Sequence, residues 1–331
     1  MKIEKFKIYE NREDVTLTGY IADDSPELLN GKARPAILIC PGGGYFNCSD
    51  REGEPVALRF AAMGYHAFVL RYSVYGEGTR QFPDLRRPLE PKARLQYPAP
   101  MLEIGRAMLL IREHAGEWLV DTDRIALCGF SAGGHNAAMF AAKWHTPVIT
   151  EALGGSSDMY RPAALVLGYP LTDYVYMDDT VKTRDPMDVA FFDSSNTAYL
   201  GTARPDRALL EEVSPARNVT EYMPPTYIWA TAADSLVPVQ HSLRLAHALA
   251  DQKIPFELHI FEEGPHGLSL SGQASAGARS QIMPDAAKWA PLAAAWLEKR
   301  LALALPEFTD FERMMMEGPP DDRKAVHAES V

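Results

Sequence analysis

Three residues far apart in the chain have the side-chain types that convert an inert alcohol into a nucleophile: Ser131, Asp234 and His266. Ser131 is the centre of Gly129-Phe130-Ser131-Ala132-Gly133, a G-x-S-x-G pattern, with the strand-like "RIALCGF" before it and the helix-like "NAAMFAAKW" after it. A serine at that corner sits on a tight strand-to-helix turn that lifts its Oγ clear of the sheet, and the unpaired N–H groups and dipole of the following helix face the same spot. The hydroxyl needs a base, and the base needs a third group to orient it. In a parallel sheet those partners follow at the ends of later strands, acid first and histidine second. The run "PPTYIWATAAD" ends on Asp234 and "FELHIFEEGPH" ends on His266. The chemistry that this set could perform is attack on a carbonyl carbon.

The other candidates fit less well. His66 opens a strand-like run, His114, His241 and His247 lie in helical patterns, His259 is mid-strand, and His327 is in the tail. His135 stands on the helix of Ser131 itself and cannot easily turn back onto Oγ. Asp173, Asp178, Asp179 and Asp193 are alternatives for the acid, and Asp234 has a second reading as the N-cap of the helix that follows. An oxyanion needs donors, and "CPGGGY" (Cys40 to Tyr45) supplies a backbone able to approach an oxygen closely. Gly43 and Gly44 are the expected donors together with the N–H of Ala132, with Gly42 shaping the turn. The loop has neither the lysine of a P-loop nor G-x-G-x-x-G spacing, which argues against a phosphate cradle.

These positions need a scaffold, and the apolar pattern describes one. Strand-like runs at 15–22, 35–40, 66–72, 124–130, 163–170, 224–232 and 256–262 alternate with segments apolar at i, i+3 and i+4. That alternation predicts an α/β fold, a mostly parallel central sheet with helices on both faces. Two stretches break it: the Pro, Gly and Arg-rich loop of about 74–98, and about 173–222, whose short helical pieces suit a small lid insertion. Residues 1–305 are expected to form one domain. Residues 306–331 lose periodicity and read as an extended or disordered tail. Its "FERMMM" (Phe311 to Met316) has two readings, contact with a second copy in a homo-oligomer or a free end.

Composition narrows the partners. The 331 residues are 47% hydrophobic, enough for a large core, and carry a formal net charge of -11. That charge offers no attraction to phosphate backbones or anionic lipid, so neither nucleic acid nor a membrane is an expected partner. The three cysteines form no disulfide framework and read as reduced thiols. "MKIEKFKIYE" is no apolar leader and no run reaches spanning length, so a cytoplasmic location is expected.

Taken together, "PGGGY", "VLRYSV", "RIALCGFSAGGHNAA", "GYPLTDY", "VSPARNVT", "PPTYIWATAADSLVPVQHSLRLAHAL" and "PFELHIFEEGPHGLSL" resemble the α/β-hydrolase superfamily over most of residues 35–300. The branch is that of small acetyl esterases and acetylxylan esterases, related to hormone-sensitive-lipase-type esterases. The resemblance implies Ser131 as nucleophile, Asp234 as acid and His266 as base in a serine esterase that uses no metal or cofactor. It also implies small acyl groups, acetyl first, on a sugar or oligosaccharide as substrate. One departure is Pro41, where the lipase-type loop usually carries histidine, so other groups must hold the glycine loop. Tyr45, Phe46, Leu236 and Leu268 flank the loops and are the candidate acyl contacts, with plain core as their other reading. Arg80, Arg86, Arg87, Lys92 and Arg94 read either as a solvated loop or as a surface for an anionic sugar. An amidase or peptidase with the same three residues, with Glu262 and Glu263 anchoring an ammonium, and a catalytically silent ligand-binding homologue remain alternatives.

Overall fold

The computed structural model describes residues 1–79 and 81–317. Eight strands form one sheet: β1 (Lys2–Tyr9), β2 (Arg12–Ile21), β3 (Arg34–Cys40), β4 (His66–Arg71), β5 (Val120–Phe130), β6 (Ala164–Gly168), β7 (Thr226–Thr231) and β8 (Phe256–Phe261). Their order is β1-β2-β4-β3-β5-β6-β7-β8. β4, β3, β5, β6, β7 and β8 run parallel, whereas β1 pairs antiparallel with β2 and β2 with β4. β1 is the strand that the apolar pattern does not announce. Lys2, Glu4, Lys5 and Lys7 give it the charged character of an edge that must not recruit another chain, while Phe6 and Ile8 pack on the core.

Alternation along the central strands sends side chains to two separate cores. From β3, Ala36, Leu38 and Cys40 enter one core and Ile37 and Ile39 the other; from β5, Ile125 and Leu127 enter the first and Ala126, Cys128 and Phe130 the second. Met101, Ile104, Met108 and Ile111 of the helix Ala99–Glu113 cover the first face. Val56, Ala57 and Phe60 of the helix Glu54–Ala61, with Trp289, Trp296 and Leu297 of the helix Trp289–Leu301, cover the second. Cys40, Cys48 and Cys128 are buried free thiols.

The chain leaves β3 for β4 on one side and then crosses back over β3 to β5, so the sheet reverses direction between the C-terminal ends of β3 and β5. A crevice opens at such a reversal. The register pairs Cys40 with Gly129, which sets the glycine loop beside the Ser131 turn.

The two segments that broke the pattern differ from each other. The described residues of 74–98 are irregular apart from a single turn at Ala93–Leu95. Between β6 and β7 lie the helices Tyr174–Val181, Pro186–Leu200 and Arg207–Glu212, each started by an aspartate (Asp173, Asp185, Asp206) that accepts a backbone N–H of the first turn. Within the tail, Asp310–Glu317 is helical where an extended or disordered chain was expected. Thr309 and Glu312 start it by exchanging side-chain to backbone bonds, and this T-x-x-E cap was present in the sequence. Phe311, Met314, Met315 and Met316 stay exposed on it. His327 lies outside the described residues, as does Arg80. Among the described residues no helix is long and apolar enough to cross a membrane.

Glu103 links this scaffold to the glycine loop. Wholly buried, it accepts the N–H of Ser73 at 2.6 Å and its hydroxyl at 2.5 Å, with Arg12 at 3.5 Å. The neighbouring Tyr72 hydroxyl donates to the Pro41 carbonyl at 2.6 Å. Burial pushes the Glu103 carboxyl up to about 7 from 4.5, against the Ser73 and Arg12 contacts that favour its charged form. A folded-state value above the unfolded one means that folding takes up a proton between those pH values, so stability falls as pH rises through that window. The loss is of order 3 kcal/mol. Glu103→Gln is expected to flatten this dependence, seen as a smaller drop in Tm from pH 4.5 to pH 8 than the wild type shows; equal drops would contradict it.

Candidate active site

Ser131 occupies a backbone conformation with φ +53°, which a side-chain-bearing residue adopts only when its surroundings impose it. The flanking glycines show what imposes it. A Cβ on Gly133 would lie 2.1 Å from the Cys40 carbonyl oxygen, and one on Gly129 would lie 2.4 Å from the Gly133 carbonyl oxygen. The first turn of the helix Ser131–Lys143 therefore packs directly on the backbone at the end of β3.

The turn brings Ser131 to its partners. Its hydroxyl donates to His266 Nε2 at 2.7 Å, and His266 Nδ1 donates to Asp234 Oδ2 at 2.7 Å. The carboxylate fixes the tautomer, because Nδ1 must carry the proton for Nε2 to accept one. Asp234 is 4% exposed and uses its other oxygen to accept the N–H groups of Leu236 and Val237, both at 3.0 Å. The N-cap reading of Asp234 is corrected: the next helix begins at Gln240 with Val239 at its cap, and the second oxygen of Asp234 serves a turn that precedes it. The Tyr169 ring stands edge-on to the imidazole, 5.0 Å between centroids.

The rival residues are engaged elsewhere. His135 is buried between the Tyr45 hydroxyl (2.5 Å to Nδ1) and the Val213 carbonyl (2.7 Å from Nε2), and burial lowers its pKa to about 4. His241 accepts the N–H groups of Thr172 and Asp173. Asp173 pairs with Arg217 and Arg244, Asp178 with Lys182, Asp179 with Arg207, and Asp193 with Arg204.

The glycine loop is held without a histidine. Gly42 N–H donates to Glu52 Oε2 at 2.7 Å, the Gly42 carbonyl accepts Ser49 N–H at 2.8 Å, and the Gly43 carbonyl accepts Phe46 N–H at 3.0 Å. Ser195, on the inserted helix Pro186–Leu200, donates to the Gly44 carbonyl at 3.0 Å. Gly43 and Gly44 have φ +134° and +63°, the region in which glycine is at ease. Among the described residues no acceptor takes the N–H of Gly43 or Gly44, and Ala132 N–H lies in the first helical turn, where no intrahelical acceptor exists.

A cleft of about 430 Å³ opens on Ser131 and His266. Its apolar wall is Phe82, Phe191 and Leu236, and Asn47, Ser49, Asp50 and Arg51 form a polar side. Of the four residues expected as acyl contacts, only Leu236 lines it. Tyr45 is buried face to face with Tyr199 at 4.0 Å, Phe46 is fully buried behind Phe82 and Phe191, and Leu268 belongs to the core. Phe82 and Phe191 lie in the two segments without a periodic pattern, where nothing in the sequence marks a side chain as lining. The described basic residues of 74–98 turn to their own loop: Arg86 and Arg87 face Asp84, and Lys92 and Arg94 face Glu77. Glu262 and Glu263 are exposed and stand outside the cleft lining.

With this geometry in view, the comparisons with known proteins fall into one group. The BD-FAE family model matches residues 90–249. Endo-1,4-beta-xylanase B of Butyrivibrio fibrisolvens is 33% identical over 72% of this chain and 33% of its own length. Four further curated relatives are named esterases or carboxylic ester hydrolases, and the chain spans about half the length of each. The acetyl ester-xyloside bifunctional hydrolase of Caldicellulosiruptor lactoaceticus superposes with a TM-score of 0.67 at 30% identity, covering 91% of this chain and 97% of that one. MGS-M1, an α/β hydrolase from a Medee basin deep-sea metagenome library, gives 0.66 at 33% identity over 92% and 99%. By this sheet order and these likenesses the chain belongs to the α/β-hydrolase superfamily, among relatives most of which are named esterases.

Proposed function

We propose that the protein is a serine carboxylic-ester hydrolase that removes small acyl groups, acetyl first, from a sugar or oligosaccharide. The observation that carries this reading is the unbroken pair of 2.7 Å hydrogen bonds from Ser131 through His266 to Asp234. As the hydroxyl attacks the ester carbon, its proton passes to His266 Nε2, and the carbonyl oxygen becomes an oxyanion. The N–H groups of Gly43, Gly44 and Ala132, without a backbone acceptor among the described residues, are the donors for that charge. Imidazolium then protonates the departing alcohol. Water repeats the sequence on the acyl-enzyme and releases the carboxylate, while Asp234 stabilises the imidazolium without taking its proton.

The substrate class rests on the cleft and on the relatives. An apolar wall of three side chains within about 430 Å³ suits a short acyl group, and the polar side suits a hydroxyl-rich alcohol. Two relatives are named for acetylxylan ester and acetyl ester-xyloside hydrolysis, which favours an acetylated xylo-oligosaccharide. Glu262 and Glu263, the residues expected to anchor an ammonium, stand outside the cleft lining, so the ester reading stands ahead of the peptidase one.

Ser131→Ala is expected to keep its fold and lose on the order of 10⁶ in kcat on p-nitrophenyl acetate, with His266→Ala losing a comparable factor because the residues act as a unit. Wild-type turnover in Ser131→Ala would remove the assignment. On p-nitrophenyl esters, acetyl should exceed butyryl and octanoyl in kcat/KM, and Phe191→Ala should raise the butyryl to acetyl ratio about tenfold by opening the wall. A wild-type preference for octanoyl would contradict the small-acyl reading. The natural alcohol is sought by assaying acetate release from acetylated xylo-oligosaccharides.

A further inference from the structure

The glycine loop follows β3 and the histidine loop follows β8, four strand spacings apart in the sheet, about 19 Å between their points of origin. Among the described residues no backbone hydrogen bond joins the two loops directly. The turn Asp50–Glu52 does reach both. Glu52, 3% exposed, accepts Gly42 N–H on Oε2 and the Tyr169 hydroxyl on Oε1 at 2.6 Å. The Tyr169 oxygen in turn accepts Ser269 N–H at 2.8 Å, and its ring faces His266. Arg51 holds the histidine loop at three further points. Its Nη1 donates to the Gly267 carbonyl at 2.9 Å, its Nε donates to the Ser275 carbonyl at 2.6 Å, and its own carbonyl accepts the Ser269 hydroxyl at 2.6 Å.

We infer that Arg51 and Glu52 are positioning residues that fix the spacing between the oxyanion donors and the base, so that the two halves of the site hold one geometry. The inference rests on the reading of Ser131 and His266 as nucleophile and base. Neither Arg51 nor Glu52 bonds to Ser131, His266 or Asp234 themselves; they bond to the loops that carry or face them. The acceptor-only chemistry of a carboxylate matches what Glu52 meets, an N–H on one oxygen and an O–H on the other. A glutamine offers one acceptor and one donor there, and keeps only one of the two bonds in its native sense. An alanine leaves Gly42 N–H buried without a partner and frees the loop on which Gly43 and Gly44 must be aimed.

The test compares Glu52→Ala, Glu52→Gln and Tyr169→Phe with the wild type on p-nitrophenyl acetate, normalised to folded protein. In parallel, the Ki of phenylboronic acid is measured; its boron takes up the Ser131 oxygen as a tetrahedral anion while His266 receives the proton. Glu52→Ala is expected to lose about 100-fold in kcat with KM held within about threefold, and Glu52→Gln and Tyr169→Phe about fivefold to tenfold. The boronic acid Ki should rise by the same factor as kcat/KM falls, since both depend on the aimed donors. A role confined to stability would lower Tm and leave kcat and Ki per folded molecule unchanged, and that result overturns the inference. Should Glu52→Ala not fold, Glu52→Gln and Tyr169→Phe decide it on the same readouts, and kcat within about twofold of wild type in both overturns it. A wild-type protein that phenylboronic acid does not inhibit would instead overturn the reading of Ser131.

Discussion

The contact on which the site depends is between two stretches of backbone: the first turn after Ser131 lies against the carbonyls of Cys40 and Pro41, closer than any side chain would permit. Gly133 makes that approach feasible, and the positive φ of Ser131 is its consequence. Because β3 and β5 are paired in register up to Cys40 and Gly129, the glycine loop and the serine turn leave the sheet side by side. The strain at Ser131 is held by the two cores beneath it, where β3 and the last six residues of β5 are buried throughout.

From that point the rest of the site is assembled by loops rather than by the sheet. Asp234 divides its two oxygens between His266 and the N–H groups of its own turn, so the carboxylate is itself fixed where it meets the imidazole. The glycine loop, lacking a histidine at Pro41, is held instead by the Tyr72 hydroxyl, by Glu52 and by Ser195 from the inserted helices. The insertion between β6 and β7 therefore does more than cover the cleft. Through Ser195 and Phe191 it bears on Gly44 of that loop.

The parts of this arrangement that were legible in the sequence are those tied to regular structure. Ser131, Asp234 and His266 each end an apolar run, and the chain order of the three follows from the sheet. The strands from β2 to β8 announced themselves by apolar, β-branched residues, whereas β1 hid behind its lysines because an edge strand buries only Phe6 and Ile8 on one side. Cleft lining was illegible for a related reason. Phe82 and Phe191 sit where no period constrains the direction of a side chain, while Tyr45 and Phe46, adjacent to the loop in sequence, turn inward against Tyr199 and beneath Phe191. The role of Glu52 could not be read either, since a carboxylate in "SDREGEP" looks like solvated surface until its two donors are brought to it by β3 and β6.

Activation of Ser131 by His266 is measured by reaction with a fluorophosphonate followed by peptide mass mapping. One phosphonyl group per chain is expected, carried on Ser131, with the rate of labelling collapsing in His266→Ala. A wild-type chain that stays unlabelled, or one labelled elsewhere with Ser131 intact, would contradict it.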